Sequence, residues 1–238
     1  MPIPLHLANP LPPGFALPNL ESASALPLQG LTVLAVEDSR YACEALRLMC
    51  RRAGARLRRA DTIANARAHL RVYRPDVVII DLGLPDGRGE ALIRDLVMAP
   101  QRPGVILGTS GLPNGRASAL ASGADEYLDK PILNFAHFCA TLCLHSAPFD
   151  ATAADVPLRP DTLALRDDWA LAAEQLAAAP DAAQQLYVTR FLAGIARHSN
   201  DHALAFAATQ AAENTDPGLQ ALRQLIAMRL AQSGQIGQ

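Results

Sequence analysis

The chain has 238 residues, half of them apolar, and a formal net charge of −2 at pH 7. Its length suits one large domain or two modest ones. The near-neutral charge gives none of the basic footprint that nucleic-acid-binding proteins carry, so we expect no nucleic-acid partner. No apolar run approaches the ~18 residues of a membrane-spanning helix, and no secretory signal pattern is present. We therefore expect a cytoplasmic protein without membrane contact.

Residues 1–29 contain seven prolines and a single charged residue, Glu21. Repeated proline favours extended chain and prevents helix formation. We interpret this segment as a Pro-rich N-terminal arm.

Residues 30–146 alternate between short apolar runs and amphipathic stretches. The predicted strands are Leu31–Val36, Arg56–Ala60, Val77–Ile80, Val105–Leu107 and Ala124–Leu128. The first predicted helix ends near Ala53. Three more are predicted at Thr62–Tyr73, Glu90–Met98 and Arg116–Ser122, and the last one continues to about His145. Apolar strands between helices predict an α/β fold with a five-stranded parallel sheet covered on both faces.

Residues 147–160 are rich in proline, alanine and aspartate and are predicted to form a linker. Residues 161–238 have helical apolar spacing and four capping signals, which predict helices near 161–178, 181–198, 201–213 and 217–232. Short loops between them favour a small all-α bundle. Trp169, Tyr187, Phe191 and Phe206 are predicted to lie in its core.

Four cysteines, Cys43, Cys50, Cys139 and Cys143, fall in predicted helices among apolar residues. Free cysteine there usually behaves as a small buried hydrophobe, and reduced thiols suit a cytoplasmic protein. A metal bound by all four thiols stays open as an alternative.

The 21 basic residues include a single lysine, Lys130. An ammonium is a compact point charge, whereas guanidinium is a broad planar fork. The one lysine is therefore a candidate for a role that arginine could not fill.

Polar residues follow four of the predicted strands: Glu37-Asp38 after the first, Asp81 after the third, Thr109-Ser110 after the fourth and Asp129-Lys130 after the fifth. Functional sites in parallel sheets collect at these carboxyl ends. Several carboxylates brought together repel one another unless a hard cation such as Mg²⁺ joins them. Asp81 could then act as a nucleophile toward a phosphoryl group, with Lys130 and Ser110 binding its oxygens.

The segments VLAVEDS, VVIIDLGLPDGRG, ILGTSG and GADEYLDKP together closely resemble the CheY-like receiver domain of bacterial two-component response regulators, from Leu31 to about His145. The resemblance implies the flavodoxin-like strand order 2-1-3-4-5. It implies that Asp81 is the phosphoacceptor, with a histidine kinase or histidine phosphotransfer protein as donor.

The resemblance also implies a Mg²⁺ site formed by Asp38, Asp81 and the backbone carbonyl of Gly83, with Glu37 acting mainly through water. Lys130 is expected to pair with the phosphoryl group.

A cis peptide bond is expected before Pro131. Tyr127 is implied to be a switch residue that turns inward when the Ser110 hydroxyl is drawn to the phosphate. Because the segment between this hydroxyl and Gly123 is shorter than in the family, Thr109 is the alternative hydroxyl.

The function of the C-terminal helices is less constrained. They have more acidic than basic residues and no helix-turn-helix pattern, so a DNA-binding transcriptional regulator is an alternative rather than the first expectation. His198 and His202 flank a predicted helix break without a following lysine, unlike a phosphotransfer bundle. We expect a non-enzymatic module for contacts with a downstream protein, or for homodimerisation. A receiver-fold scaffold that is never phosphorylated is the other alternative.

Overall fold

The computed structural model describes residues 26–111, 113–132, 134–143, 162–178, 180–213 and 216–233. Most of the predicted N-terminal arm and all of the predicted linker lie outside the described residues.

The central sheet has the predicted strand order. In chain order the strands are β1 Thr32–Val36, β2 Arg56–Ala60, β3 Val77–Asp81, β4 Gly83–Leu84, β5 Gly87–Arg88, β6 Val105–Ser110 and β7 Glu126–Asp129. Five of them form a parallel sheet in the order β2-β1-β3-β6-β7, which confirms the flavodoxin-like order. The other two, β4 and β5, form a short antiparallel hairpin between β3 and Gly89, where the sequence predicted no strand.

Five helices cover the two faces of this sheet: α1 Arg40–Ala53, α2 Ile63–Val72, α3 Gly89–Val97, α4 Gly115–Ala121 and α5 Phe135–Leu142. One apolar cluster joins α1 and α5 to the sheet, and a second joins α2, α3 and α4 to the opposite face. The doubly wound α/β prediction is therefore confirmed. Ser39 caps α1 by accepting from the amide of Ala42, which positions Asp38 at the end of β1.

Four further helices form the predicted bundle: α6 Thr162–Ala177, α7 Ala182–His198, α8 His202–Ala212 and α9 Asp216–Ser233. Trp169 is 8% exposed and packs in the apolar core of the bundle, as predicted. Phe206 is 68% exposed, so its predicted place in the core was wrong. Leu204, Ala208 and Ala211 form the buried stripe of α8. Phe206 follows Leu204 by two positions, which places it on the opposite side of the helix.

The bundle packs against the carboxyl edge of the sheet. Helix α6 contacts α1, and α7 contacts both α1 and β4. Among the described helices, none combines the length and the apolar character needed to cross a membrane.

Candidate functional site

Three acidic side chains meet where β1 and β3 end. The two strands are neighbours, with Val36 paired to Ile80, so the residues that follow them are adjacent. Glu37, Asp38 and Asp81 each place a carboxylate oxygen within 4.8 Å of the other two. The strand ends therefore bring together the acidic residues singled out in the sequence.

Lys130 reaches this cluster from the end of β7. Its Nζ lies 2.6 Å from Glu37 Oε2 and 2.6 Å from Asp81 Oδ2, and its side chain is only 6% exposed. Burial alone would lower the pKa of Lys130, but the attraction of Asp81 and Glu37 outweighs it and raises the pKa. The ammonium therefore stays charged. The peptide bond to Pro131 is cis, as the family resemblance implied.

One ammonium does not balance three carboxylates. Burial, together with repulsion from Asp81, raises the pKa of Glu37 to about 8 and that of Asp38 to about 6. The cluster is thus short of positive charge while being rich in oxygen donors. This donor set fits a hard divalent cation such as Mg²⁺. Gly83 lines the same cavity, and its amide donates to Asp81 Oδ1 at 3.1 Å.

The two candidate hydroxyls at the end of β6 are placed differently. Ser110 lines the cavity that contains Asp81 and Lys130, whereas Thr109 is not among the described residues that line it. Successive side chains of a strand point to opposite faces, so only one of the two can face this cavity. The geometry favours Ser110 as the hydroxyl that reaches a group on Asp81.

Tyr127 lies in an inward position beneath this loop. It is buried, and its hydroxyl donates to the Ser110 carbonyl at 2.8 Å. Gly115 makes room for it, because a Cβ at position 115 would lie 2.4 Å from the tyrosine oxygen. The aromatic ring is therefore tied to the same loop that carries the candidate hydroxyl.

The C-terminal bundle contributes to the site in a way that no local motif indicated. Asp168 of α6 accepts from Ser39 Oγ at 2.8 Å and from the amides of Arg40 and Tyr41, each at 3.0 Å. It therefore caps α1 from outside, directly after Asp38. An acidic group at a helix N-terminus is favoured by the helix dipole as well as by these hydrogen bonds.

Helix α7 lies directly over the strand ends. The hydroxyl of Tyr187 donates to Asp38 Oδ2, and the guanidinium of Arg197 donates to the carbonyl of Gly111. A Cβ at position 111 would lie 3.2 Å from the Cα of Gly194, so the helix and the loop after β6 are in close contact. Residues of the bundle thus touch both the acidic cluster and the loop after Ser110.

His198, at the end of α7, is 4% exposed and packs edge-on against Tyr41, with 5.5 Å between ring centroids. Within the described residues, neither of its ring nitrogens has a hydrogen-bond partner. Burial, helped by the charge of Lys130, lowers the pKa of His198 to about 4. The imidazole is therefore neutral near pH 7.

A cavity of about 630 Å³ lies between the strand ends and α7. Asp38, Asp81, Ser110 and Lys130 line it from below. From α7, the lining includes Leu186, Tyr187, Arg190, Phe191, Ile195 and His198. The acidic cluster is thus accessible from a chamber that both parts of the chain enclose.

Residues 33–142 match the family described as "Response regulator receiver domain". The KDP operon transcriptional regulatory protein KdpE of Escherichia coli (strain K12) is 35% identical over 99 residues, which are 42% of this chain and 44% of that protein. The chain thus matches less than half the length of this relative. Residues 33–142 belong to the response regulator receiver family.

Two solved structures show similar receiver folds. A putative response regulator from Chloroflexus aurantiacus J-10-fl is 26% identical, with a TM-score of 0.44, and the match covers 48% of this chain and 98% of that one. The receiver domain of the sensor histidine kinase PA1611 from Pseudomonas aeruginosa PAO1 is 24% identical, with a TM-score of 0.45 and coverage of 48% and 96%. The PA1611 receiver structure has a magnesium ion coordinated in its active-site cleft.

Proposed function

We propose that the protein is a phosphorylation-controlled signalling switch that accepts a phosphoryl group on Asp81 from a histidine kinase or histidine phosphotransfer protein. The observation that supports this most is the placement of Asp81. One of its oxygens lies 2.6 Å from the buried Lys130 ammonium, and the side chain lines an open chamber. A carboxylate held in this way is both oriented and accessible to a phosphorus atom.

The chain's own groups have distinct roles in this transfer. The Asp81 carboxylate oxygen forms a bond to phosphorus as the donor's bond breaks. Lys130 and Ser110 bind two of the three oxygens that carry the charge of the transferred group. Thr109 is the alternative hydroxyl only if the strand end rotates.

The residues proposed to hold Mg²⁺ are Asp38, Asp81 and the carbonyl of Gly83, with Glu37 acting through water. The cation supplies positive charge for the phosphoryl oxygens and relieves the repulsion among the carboxylates. Outside this site we propose no enzymatic activity, so that the chain catalyses at most its own phosphorylation and dephosphorylation.

The output is proposed to run through the loop after β6. A phosphoryl group adds a charge of about −1.5 to −2 at Asp81 and attracts the Ser110 hydroxyl. The next residue, Gly111, contacts Arg197 and Gly194 of α7, while Tyr127 bonds the Ser110 carbonyl. Movement of this loop therefore changes the contacts that hold the C-terminal helices against the receiver domain. We propose that these helices then contact a downstream protein or a second copy of the chain.

Two other functions remain as competitors. KdpE is named as a transcriptional regulatory protein. Because the match covers only 44% of KdpE, it does not support DNA binding by this chain. A silent scaffold would bind no Mg²⁺ and would not respond to phosphodonors.

Phosphorylation of the full chain tests the proposal. With Mg²⁺ and acetyl phosphate, we expect a mass increase of one phosphoryl group that hydroxylamine removes. Asp81→Asn should abolish it. Asp95→Asn is the matched control, because Asp95 is an exposed carboxylate on α3 paired with Arg67. Equal labelling of the Asp81 and Asp95 variants would reject Asp81 as the acceptor.

A further inference from the structure

Helix α7 stands across the approach to Asp81 and is fastened on both sides of it. Tyr187 bonds Asp38 on one side, and Arg197 bonds Gly111 on the other. Between them, Ile195 is 3% exposed although it lies outside the apolar cluster that forms the core of the bundle. It lines the chamber above Asp81, so its burial comes from docking on the receiver domain.

Helix α6 adds a further attachment beside the first. Asp168 is 1% exposed and accepts three hydrogen bonds from Ser39, Arg40 and Tyr41. Its charge makes these bonds stronger than neutral ones. The bundle is therefore held against the site by buried hydrogen bonds to a carboxylate as well as by apolar packing.

The volume of the chamber limits which phosphodonors can enter while α7 is docked. The chamber of about 630 Å³ corresponds to roughly 20 water molecules at about 30 Å³ each, so a hydrated cation and a small phosphodonor fit. An α-helix about 10 Å wide fills about 420 Å³ per turn, so two turns already exceed the chamber. The chamber is therefore too small for the helix of a folded carrier protein to enter while α7 is docked.

We propose that α7 determines phosphodonor specificity: the docked form accepts phosphoryl groups from small donors, whereas a protein donor reaches Asp81 only after α7 has left the site. This inference rests on the proposed function of Asp81. Arg190 lines the same chamber and contributes a positive charge that favours entry of small anions. The docking residues, and not the acidic cluster alone, then decide which donors are used.

The transfer itself is the same for both kinds of donor. With a phosphoimidazole, the Asp81 oxygen forms the new O–P bond, the N–P bond breaks, and imidazole leaves and takes up a proton from water. Because the chemistry at phosphorus is constant, only access differs between free phosphoimidazole and phosphoimidazole attached to a folded carrier protein.

The experiment compares initial rates of labelling by these two donors in the full-length protein with Mg²⁺. Ile195→Asp places a carboxylate in the docked interface and leaves the core of the bundle intact. Asp168→Ala removes the acceptor of the three buried hydrogen bonds from Ser39, Arg40 and Tyr41. Asp167→Ala is the matched control, since the neighbouring Asp167 forms only an exposed pair with Arg40. In Ile195→Asp, which leaves Asp168 in place, hydrogen exchange at the amides of Arg40 and Tyr41, which donate to Asp168, reports docking independently.

We expect the wild-type protein and Asp167→Ala to prefer the free donor strongly. In Ile195→Asp and Asp168→Ala, the ratio of free-donor to carrier-donor rates should fall by about tenfold or more. In Asp168→Ala, the loss of even one of its three charge-assisted hydrogen bonds would shift the docking equilibrium by that factor. Faster amide exchange should accompany the fall.

An unchanged ratio in an Ile195→Asp protein whose Arg40 and Tyr41 amides exchange faster would overturn the inference while leaving the proposed function intact. Absence of labelling by either donor in every variant would instead overturn the proposed function, and the inference with it. The two failures are therefore distinguishable.

Discussion

Replacement of Lys130 by methionine removes the only cationic side chain that, among the described residues, forms ion pairs with the carboxylates of the acidic cluster, while retaining a side chain of similar length. Each ion pair spans 2.6 Å between buried groups. At an effective dielectric constant of about 20, each corresponds to about 6 kcal/mol of Coulomb attraction, much of which the desolvation of the ammonium offsets. Removing one partner of a buried pair typically costs about 3–5 kcal/mol, and we expect a loss of this size in the free energy of unfolding without Mg²⁺.

Magnesium should restore much of this loss. A ligand at about 100 times its dissociation constant stabilises the folded state by about 2.7 kcal/mol. Because the variant cluster carries one more unit of uncompensated negative charge, its affinity for Mg²⁺ should rise by about tenfold, or a further ~1.4 kcal/mol.

Urea unfolding followed by circular dichroism, with and without Mg²⁺, measures the stability, and titration calorimetry measures the affinity. Arg67→Met, which breaks an exposed ion pair, is the control and should change neither by more than about 1 kcal/mol. A Lys130→Met protein with wild-type stability and unchanged Mg²⁺ affinity would refute this account of the cluster.

Three further predictions concern the lysine, the buried imidazole and the thiols. Lys130→Arg should retain Mg²⁺ binding but lose the conformational response to beryllofluoride, because a guanidinium is too broad for the space that the ammonium occupies. Hydrogen exchange of α7 measures this response, and a normal response would reject a special role for lysine. The pKa of His198, which faces Lys130 and Tyr41, is about 4 in the folded protein and 6.5 without burial, so the unfolded chain binds the proton first as pH falls. Stability should therefore decline by about 3 kcal/mol between pH 6.5 and 4, and His198→Leu should remove that share of the decline in pH-dependent unfolding; an unchanged slope would contradict the lowered pKa. Burial raises the pKa of all four cysteine thiols, that of Cys50 to about 12, so a thiol reagent at pH 8 should label the unfolded but not the native protein; rapid native labelling would show that the thiols are accessible.

Much of the α/β fold could be predicted because its signals are local. Val77–Ile80 is an uninterrupted apolar run, which is typical of a strand buried on both faces. Ser39 and Gly54 cap the two ends of α1, and serine and glycine are residue types that commonly begin and end helices. The β4–β5 hairpin was missed because each strand has only two residues and both contain glycine. Phe206 was misplaced because an aromatic residue was assumed to be buried, although its position on α8 faces outward.

The proximity of the acidic cluster and Lys130 also followed from the sequence, since parallel strands end at one edge of the sheet. The contribution of the bundle did not. Asp168 and Tyr187 resemble ordinary helix residues in the sequence, and their partners lie 129 and 149 positions away in the chain. Contacts over such separations depend on how two folded parts dock, for which periodicity and capping signals carry no information. His198 likewise gave no sign that it would be buried against Tyr41.

The identity of the phosphorylated residue is the most direct test of the central claim. After labelling with acetyl phosphate and Mg²⁺, borohydride reduction converts an aspartyl phosphate to homoserine, which peptide mass spectrometry locates. We predict homoserine at position 81 and at no other aspartate. Homoserine at position 38 or at any other carboxylate, or none in a protein that binds Mg²⁺, would contradict the claim.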